Sequence, residues 1–128
     1  MLDYDALAVE LRNLRERVSG VTSTVIAAVD GIPIISDSAS TVDPSNVSAL
    51  AAADLGIARQ ASEVLGLGAL SQTVVFSSRG YMAVYAIGRR ALLVVLGDKG
   101  LNLGRLLYEA QPAIERIESI LTPGKISA

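Results

Sequence analysis

The chain has 128 residues, enough for one domain spanning 1–128 with a sizeable core, and 13 acidic against 11 basic side chains give a net charge of −2 with no cysteine, histidine or tryptophan. This composition removes the commonest zinc ligands, the imidazole base, every Ser-His or Cys-His nucleophile pair and any disulfide framework, and it offers no basic footprint for nucleic acid. Hydrophobic residues reach 51% with aromatics at only 4%, so the core is aliphatic, and since no apolar run nears the roughly 18 residues that cross a bilayer, the surplus is expected inside the fold or at an interface rather than inserted in a membrane.

The opening MLDYDALAVELRNLRERV reads as a helix and not as a signal segment. Asp3 precedes apolar residues at Leu7, Leu11, Leu14 and Val18, one face of a helix, with Asp5, Glu10, Arg12, Arg15 and Glu16 on the wet side. Ser19-Gly20 ends it. Residues 22–29, TSTVIAAV, are β-branched and apolar enough for a buried strand. In AVDGIPII, residues 28–35, the Asp30-Gly31 pair predicts a type I′ hairpin turn into a second strand over 32–36. Pro33 suits an edge strand because it cannot donate to a ladder. After the polar loop SDSASTV, Asp43-Pro44 offers an N-cap followed by proline at the first helical position, and the helix runs to about Leu65. Gly66 and Gly68 stop it. Three short strands follow over 70–77, 81–87 and 91–96, with links short enough to force antiparallel neighbours. ALLVVL, residues 91–96, is a continuous apolar run and predicts a central strand covered on both faces. A last helix over 101–121 turns Leu103, Leu106, Leu107, Ala110, Ile114, Ile117 and Leu121 inward, with a kink expected near Pro112.

The element order is thus α-β-β-α-β-β-β-α, an α/β (α+β) domain with a five-stranded antiparallel sheet and helices on both faces. Projected at about 100° per residue, Val47, Leu50, Ala51, Ala58, Ala61 and Leu65 form a stripe that can cover the sheet. Ala49, Ala52, Ala53, Gly56, Ile57 and Val64 form a second apolar arc, with small residues four apart that would let another helix approach closely. Alanine alone could sit in solvent as a good helix former, but Ile57 and Val64 have no such reason and Gly56 opposes it. Asp54 falls within the core-facing stripe, where an unpaired carboxylate is costly, so hydroxyls of the sheet or a neighbouring chain are expected to satisfy it. The third strand, with Thr73 and Val75, is expected at an open sheet edge that a second copy would pair. LGDKGLNLG, residues 96–104, matches neither phosphate-loop pattern and reads as a turn with close helix-sheet packing.

The residues Val18, Gly20, Val21, Ala27, Asp30-Gly31, Pro33, Ile34, Lys99, Leu101 and Gly104, in this order and spacing, resemble the Roadblock family of dynein light-chain type, in particular its bacterial branch that partners Ras-like GTPases. The resemblance covers essentially the whole chain; Pro112 departs from the usual uninterrupted last helix. It implies Roadblock/profilin-like layers, a homodimer joined through the second helices and third strands, no cofactor or metal, and no catalytic residue. On that reading the interface is drawn from Ala49, Ala52, Ala53, Gly56, Ile57, Val64, Thr73 and Val75, and Arg59, Gln60 and Glu63 are the first guesses for contacts with a small Ras-like GTPase. The expected function is a cytoplasmic signalling scaffold that modulates the GTPase's nucleotide cycle, recruited to the membrane face by partners. Two rivals stand beside it. One is a purely structural adaptor for a sensor kinase or another Roadblock-like chain, and the other is a small enzyme using carboxylates such as Asp30, Asp54 and Asp98.

Overall fold

The computed structural model describes residues 2–38 and 41–122. Helix α1, Tyr4–Arg17, starts where the Asp3 side chain accepts a hydrogen bond from the Ala6 N–H at 3.0 Å, and it buries Leu7, Leu11 and Leu14. Strand β1, Val21–Ala28, pairs antiparallel with β2, Pro33–Ser38. Helix α2, Pro44–Val64, is capped by Asp43, whose carboxylate accepts from the Ser45 N–H at 3.0 Å. Strands β3 (Gln72–Ser77), β4 (Gly80–Ile87) and β5 (Ala91–Asp98) precede helix α3, Leu103–Leu121, which is capped by Asn102.

One antiparallel sheet results, in the order β2-β1-β5-β4-β3. The expected edges, β2 and β3, are the edges, and β5 is the middle strand, with Ala91 to Val95 buried throughout. Because side chains alternate along a strand, Ile26, Ala83, Tyr85, Leu93 and Val95 meet α1 and α3 on one face. Val25, Ala27, Val84, Leu92 and Val94 meet α2 on the other. The element order, the antiparallel sheet and the helices on both faces are as the sequence predicts.

Four local expectations change. Among the described residues none other than glycine has positive φ, and Gly31 alone of the Asp30-Gly31 pair does, at φ 91°. The hairpin is therefore a three-residue loop: the Gly31 N–H donates to the Ala28 carbonyl, the Ala28 N–H donates to the Ile32 carbonyl, and the register slips between Ile26 and Ala27. That is a type I turn followed by a glycine bulge, not type I′. Strand β2 continues to Ser38 because its polar residues are paired, Ser38 with Ser23 at 2.7 Å and Asp37 with Arg15 at 2.5 Å; the residues 39 and 40 of the SDSASTV loop lie outside the described residues. In α3, Leu107 is exposed and Ala113 takes a buried place, while the helix runs on through Pro112, whose missing N–H falls on an exposed stretch.

The fourth change is the rotation of α2. Its buried residues are Val47, Ser48, Ala51, Leu55 and Ser62. Leu50 and Leu65, expected against the sheet, are 66% and 68% exposed, and Ala61 is exposed as well. Leu55, the one large side chain whose 3.6-residue neighbours Ala51 and Ser48 are small enough to let the helix settle on the sheet, sets the orientation.

Candidate interaction surface on the second helix and the open sheet edge

With Leu55 seated on the sheet, the opposite side of α2 carries Leu50, Ala53, Ile57 and Val64. Ile57 is 71% and Val64 76% exposed, and Ala53 and Gly56 are exposed beside them. Ile57, Gln60, Ala61, Val64 and Leu65 form a shallow, nearly all-apolar hollow on this ridge. A Cβ added at Gly56 would meet nothing within 4 Å, so no contact within the chain requires a glycine there. Sequence reasoning missed Leu50 and Leu65 as ridge residues because it centred the buried stripe one residue off; the run Val47, Ala51, Leu55 at spacing four was the available signal.

Ala49 and Ala52 are placed differently from the rest of the predicted arc. They flank the β1–β2 corner, where a Cβ on Gly31 would lie 3.2 Å from the Ala49 Cα and 3.7 Å from the Ala52 Cβ. Small residues on the helix and glycine in the turn together let the hairpin pack against α2. Asp30 stays within its turn, accepting from the Ile32 N–H at 3.3 Å. Arg59 donates from Nη2 to the Gly88 carbonyl at 3.0 Å, tying α2 to the β4–β5 turn, whereas Gln60 and Glu63 are exposed.

The two sheet edges are unlike. On β2, Pro33 removes a donor, Asp37 is ion-paired with Arg15, and the pair holds the Arg15 pKa above its ordinary value, first through the hydrogen bond that Arg15 donates to Asp37 and then through the Asp37 charge. Proline and inward-paired charge are the usual blunting devices. On β3, QTVVFS, there is neither. The Ala86 N–H donates to the Ser71 carbonyl at 3.0 Å, and residues 71 and 86 are directly opposite in the β3–β4 register. In an antiparallel ladder bonded pairs alternate, so Thr73, Val75 and Ser77 bond inward to β4. The N–H and C=O groups of Gln72, Val74 and Phe76 point away from the sheet. Side chains follow the same alternation. Val74 packs with the α1/α3 core, which places Gln72 and Phe76 on that face, Phe76 stacked edge-on to Tyr81 at 5.1 Å, and turns Thr73 and Val75 to the face that carries α2.

Three buried polar atoms have no hydrogen-bond partner among the described residues: Ser48 Oγ, Asp54 Oδ2 and Gln72 Oε1. Ser48 lies under α2 against the sheet, Asp54 on the flank of that helix and Gln72 on the α1/α3 face of β3, so they do not form one group, and each such atom costs about 1 to 3 kcal/mol. Asp54 is half-buried on the flank of the helix rather than at the centre of its buried stripe.

The carboxylates of the enzyme reading are not brought together. The β1–β5 register sets Ala28 against Ala91 and Val21 against Gly97. Asp30 and Asp98 therefore lie at opposite ends of β1, about 25 Å apart at strand rise. Asp98 serves its own turn, accepting from the Gly100 N–H at 2.8 Å. The glycine-rich corner is a packing site: a Cβ on Gly97 would stand 2.5 Å from Leu101 Cδ2, and one on Gly20 2.7 Å from the Leu101 Cα. Among the described residues no three acidic side chains gather to hold a metal ion, and no helix is long and apolar enough to cross a membrane.

The model of the Roadblock/LC7 domain family matches residues 7–97. An uncharacterized protein of Methanocaldococcus jannaschii is 32% identical over 104 residues, which are 81% of this chain and 87% of that protein. Among solved structures, the Roadblock/LC7 domain from Streptomyces avermitilis superposes with a TM-score of 0.83 at 23% identity, over 89% of this chain and 96% of that one. MglB with a tetrameric arrangement gives 0.84 at 18% identity, over 91% and 88%. Profilin II of Acanthamoeba castellanii shares the layers at 0.54 and 14% identity, over 88% and 94%.

Proposed function

The chain belongs to the Roadblock/LC7 domain family, and from that premise we propose that it acts as a dimeric regulatory platform that binds a small Ras-like GTPase and modulates its nucleotide cycle, without chemistry of its own. The observation that carries this reading is the coincidence of two unsatisfied features at one surface. The ridge of Leu50, Ala53, Ile57 and Val64 is largely exposed in the single chain, and the neighbouring edge strand carries open backbone groups with no blunting residue.

A second copy suits both features. Outward groups at Gln72, Val74 and Phe76 are self-complementary about a two-fold axis through Val74. Pairing Gln72 with Phe76 of the second copy, and Val74 with itself, uses all three residues of each chain and makes six N–H···O bonds. Thr73 and Val75 then lie under the two α2 helices, whose Gly56 and Ala53 allow close approach. Self-association of this kind is in keeping with the tetrameric arrangement of the structurally similar MglB.

The GTPase reading draws on the resemblance to the bacterial Roadblock branch and on the exposed polar side chains next to the ridge. Gln60 and Glu63 are its contact residues. Arg59, held on the Gly88 carbonyl, shapes the docking surface and does not enter the nucleotide site. The domain works in the cytoplasm and reaches a membrane face through its partners. Titrating the protein into a cognate small GTPase tests the proposal: binding with a changed rate of GTP hydrolysis, weakened by Glu63→Lys, is expected. Neither binding nor a rate change would overturn it.

A further inference from the structure

Away from the α2 ridge, on the α1/α3 face, a cavity of about 430 Å³ opens at the end of the sheet where the β4–β5 turn lies. Its floor is aliphatic: Leu2 from the start of the chain, Ile34 of β2, Ile87 of β4, Ala91 of β5 and Leu121 of α3. Ile87 and Ala91 are buried and Ile34 and Leu121 half-buried, so these side chains form the unfinished end of the core. The volume is within the range of small-molecule pockets, which are mostly apolar with a few convergent polar groups.

The rim supplies the polar groups. Arg89 and Arg90 both line it, they are exposed, and neither makes an ion pair among the described residues. Glu118 lines it too, but its carboxylate is packed on the turn, where a Cβ on Gly88 would stand 2.8 Å from Oε2. Among the described lining residues two guanidiniums stand against one carboxylate, a net charge of +1. The turn that carries them is anchored: Arg59 holds the Gly88 carbonyl from the α2 side, and the Arg90 carbonyl accepts from the Val29 N–H at 2.9 Å. The arginines therefore project from a fixed base, as a site needs.

We propose that this cavity binds a small amphiphilic carboxylate, an aliphatic tail lying on Ile34, Ile87, Ala91 and Leu121 with its head on Arg89 and Arg90. Burial of methylenes supplies the affinity, and the planar guanidinium matches a carboxylate in a bidentate pair. None of its lining residues lies on α2 or β3; only Arg89 also borders the hollow that contains Arg59 and Glu63.

Octanoate is the probe, octanol the uncharged control of equal length, and inorganic phosphate the control without a tail. In methyl-resolved NMR titrations, octanoate is expected to shift the Ile34, Ile87 and Leu121 methyls saturably. Octanol should bind the same methyls about tenfold more weakly, as loss of one charge-assisted pair implies, and phosphate should leave them unmoved. The double variant Arg89→Ala/Arg90→Ala replaces exposed side chains, so its fold is retained, and it should bring octanoate down to the affinity of octanol. Equal affinities of octanoate and octanol for the wild type would overturn the proposal. So would non-saturating shifts, or shifts centred on Ile57 and Val64, which would show the tail merely adhering to the exposed ridge.

Discussion

Proline at position 74 and proline at position 75 should damage different things, although the residues are neighbours. The Val74 N–H points out of the sheet, and the Val75 N–H points inward to β4 opposite Met82. Val74→Pro on an edge strand costs the single chain no ladder bond. In the proposed dimer it removes the N–H from both copies, two of the six bonds across the axis. At about 1 kcal/mol each, association weakens by about 2 kcal/mol, roughly thirtyfold, before any steric cost of the ring. Val75→Pro breaks a bond within the chain and lowers thermal stability directly. Sedimentation equilibrium gives the association constant, and thermal unfolding under dilute conditions gives the stability of the single chain. If Val74→Pro left association unchanged, or if both variants lost equal stability in the dilute chain, the assignment of outward groups to Gln72, Val74 and Phe76 would be wrong.

Further outcomes follow from burial. Leu55→Ala should cost about 2 to 5 kcal/mol of folding stability by opening a cavity under α2, while Leu50→Ala should leave the fold of the dilute chain within about 0.5 kcal/mol and lower the dimer population; chemical denaturation and mass measurement separate the two. Burial pushes the Tyr85 hydroxyl from 10.0 up to about 12. The neutral form is the one the fold prefers, so the contribution is whole below pH 10 and is lost as pH rises from 10 through 12, by an amount on the order of 3 kcal/mol. Denaturation of wild type and Tyr85→Phe across this range should show a difference that grows with pH, and a constant difference would refute the cause.

Much of the fold was legible because its signals are local. The spacing of Leu7, Leu11, Leu14 and Val18, the Asp43-Pro44 cap and the unbroken ALLVVL run each declare an element and its exposure, and together they order the sheet with β5 in the middle. What was not legible depends on contacts between distant residues. The turn type was misjudged because Asp-Gly permits type I′, yet the slipped pairing of Ala27 with Pro33 leaves room for a third loop residue. The rotation of α2 was misjudged because an almost wholly apolar helix carries little amphipathic contrast, and shape, through Leu55 between Ala51 and Ser48, had to choose the buried side. That the β1–β2 corner packs beside Ala49 and Ala52 was not legible either, since Gly31 is far from them along the chain. The tie from Arg59 to the β4–β5 turn was not legible because its acceptor, the Gly88 carbonyl, lies 29 positions along the chain.

In the proposed dimer the outer side of α2 is covered by a second copy of the chain. The mass of the protein in solution, compared with that of Gly56→Arg, tests it most directly. A Cβ added at Gly56 meets nothing within 4 Å, the position is exposed, and arginine is a better helix former than glycine by nearly 1 kcal/mol, so the variant should fold at least as well as the wild type. Two chains are expected for the wild type and one, equally stable, for Gly56→Arg. A wild type that is already a single chain at micromolar concentration, or a variant that still runs as two, would contradict it.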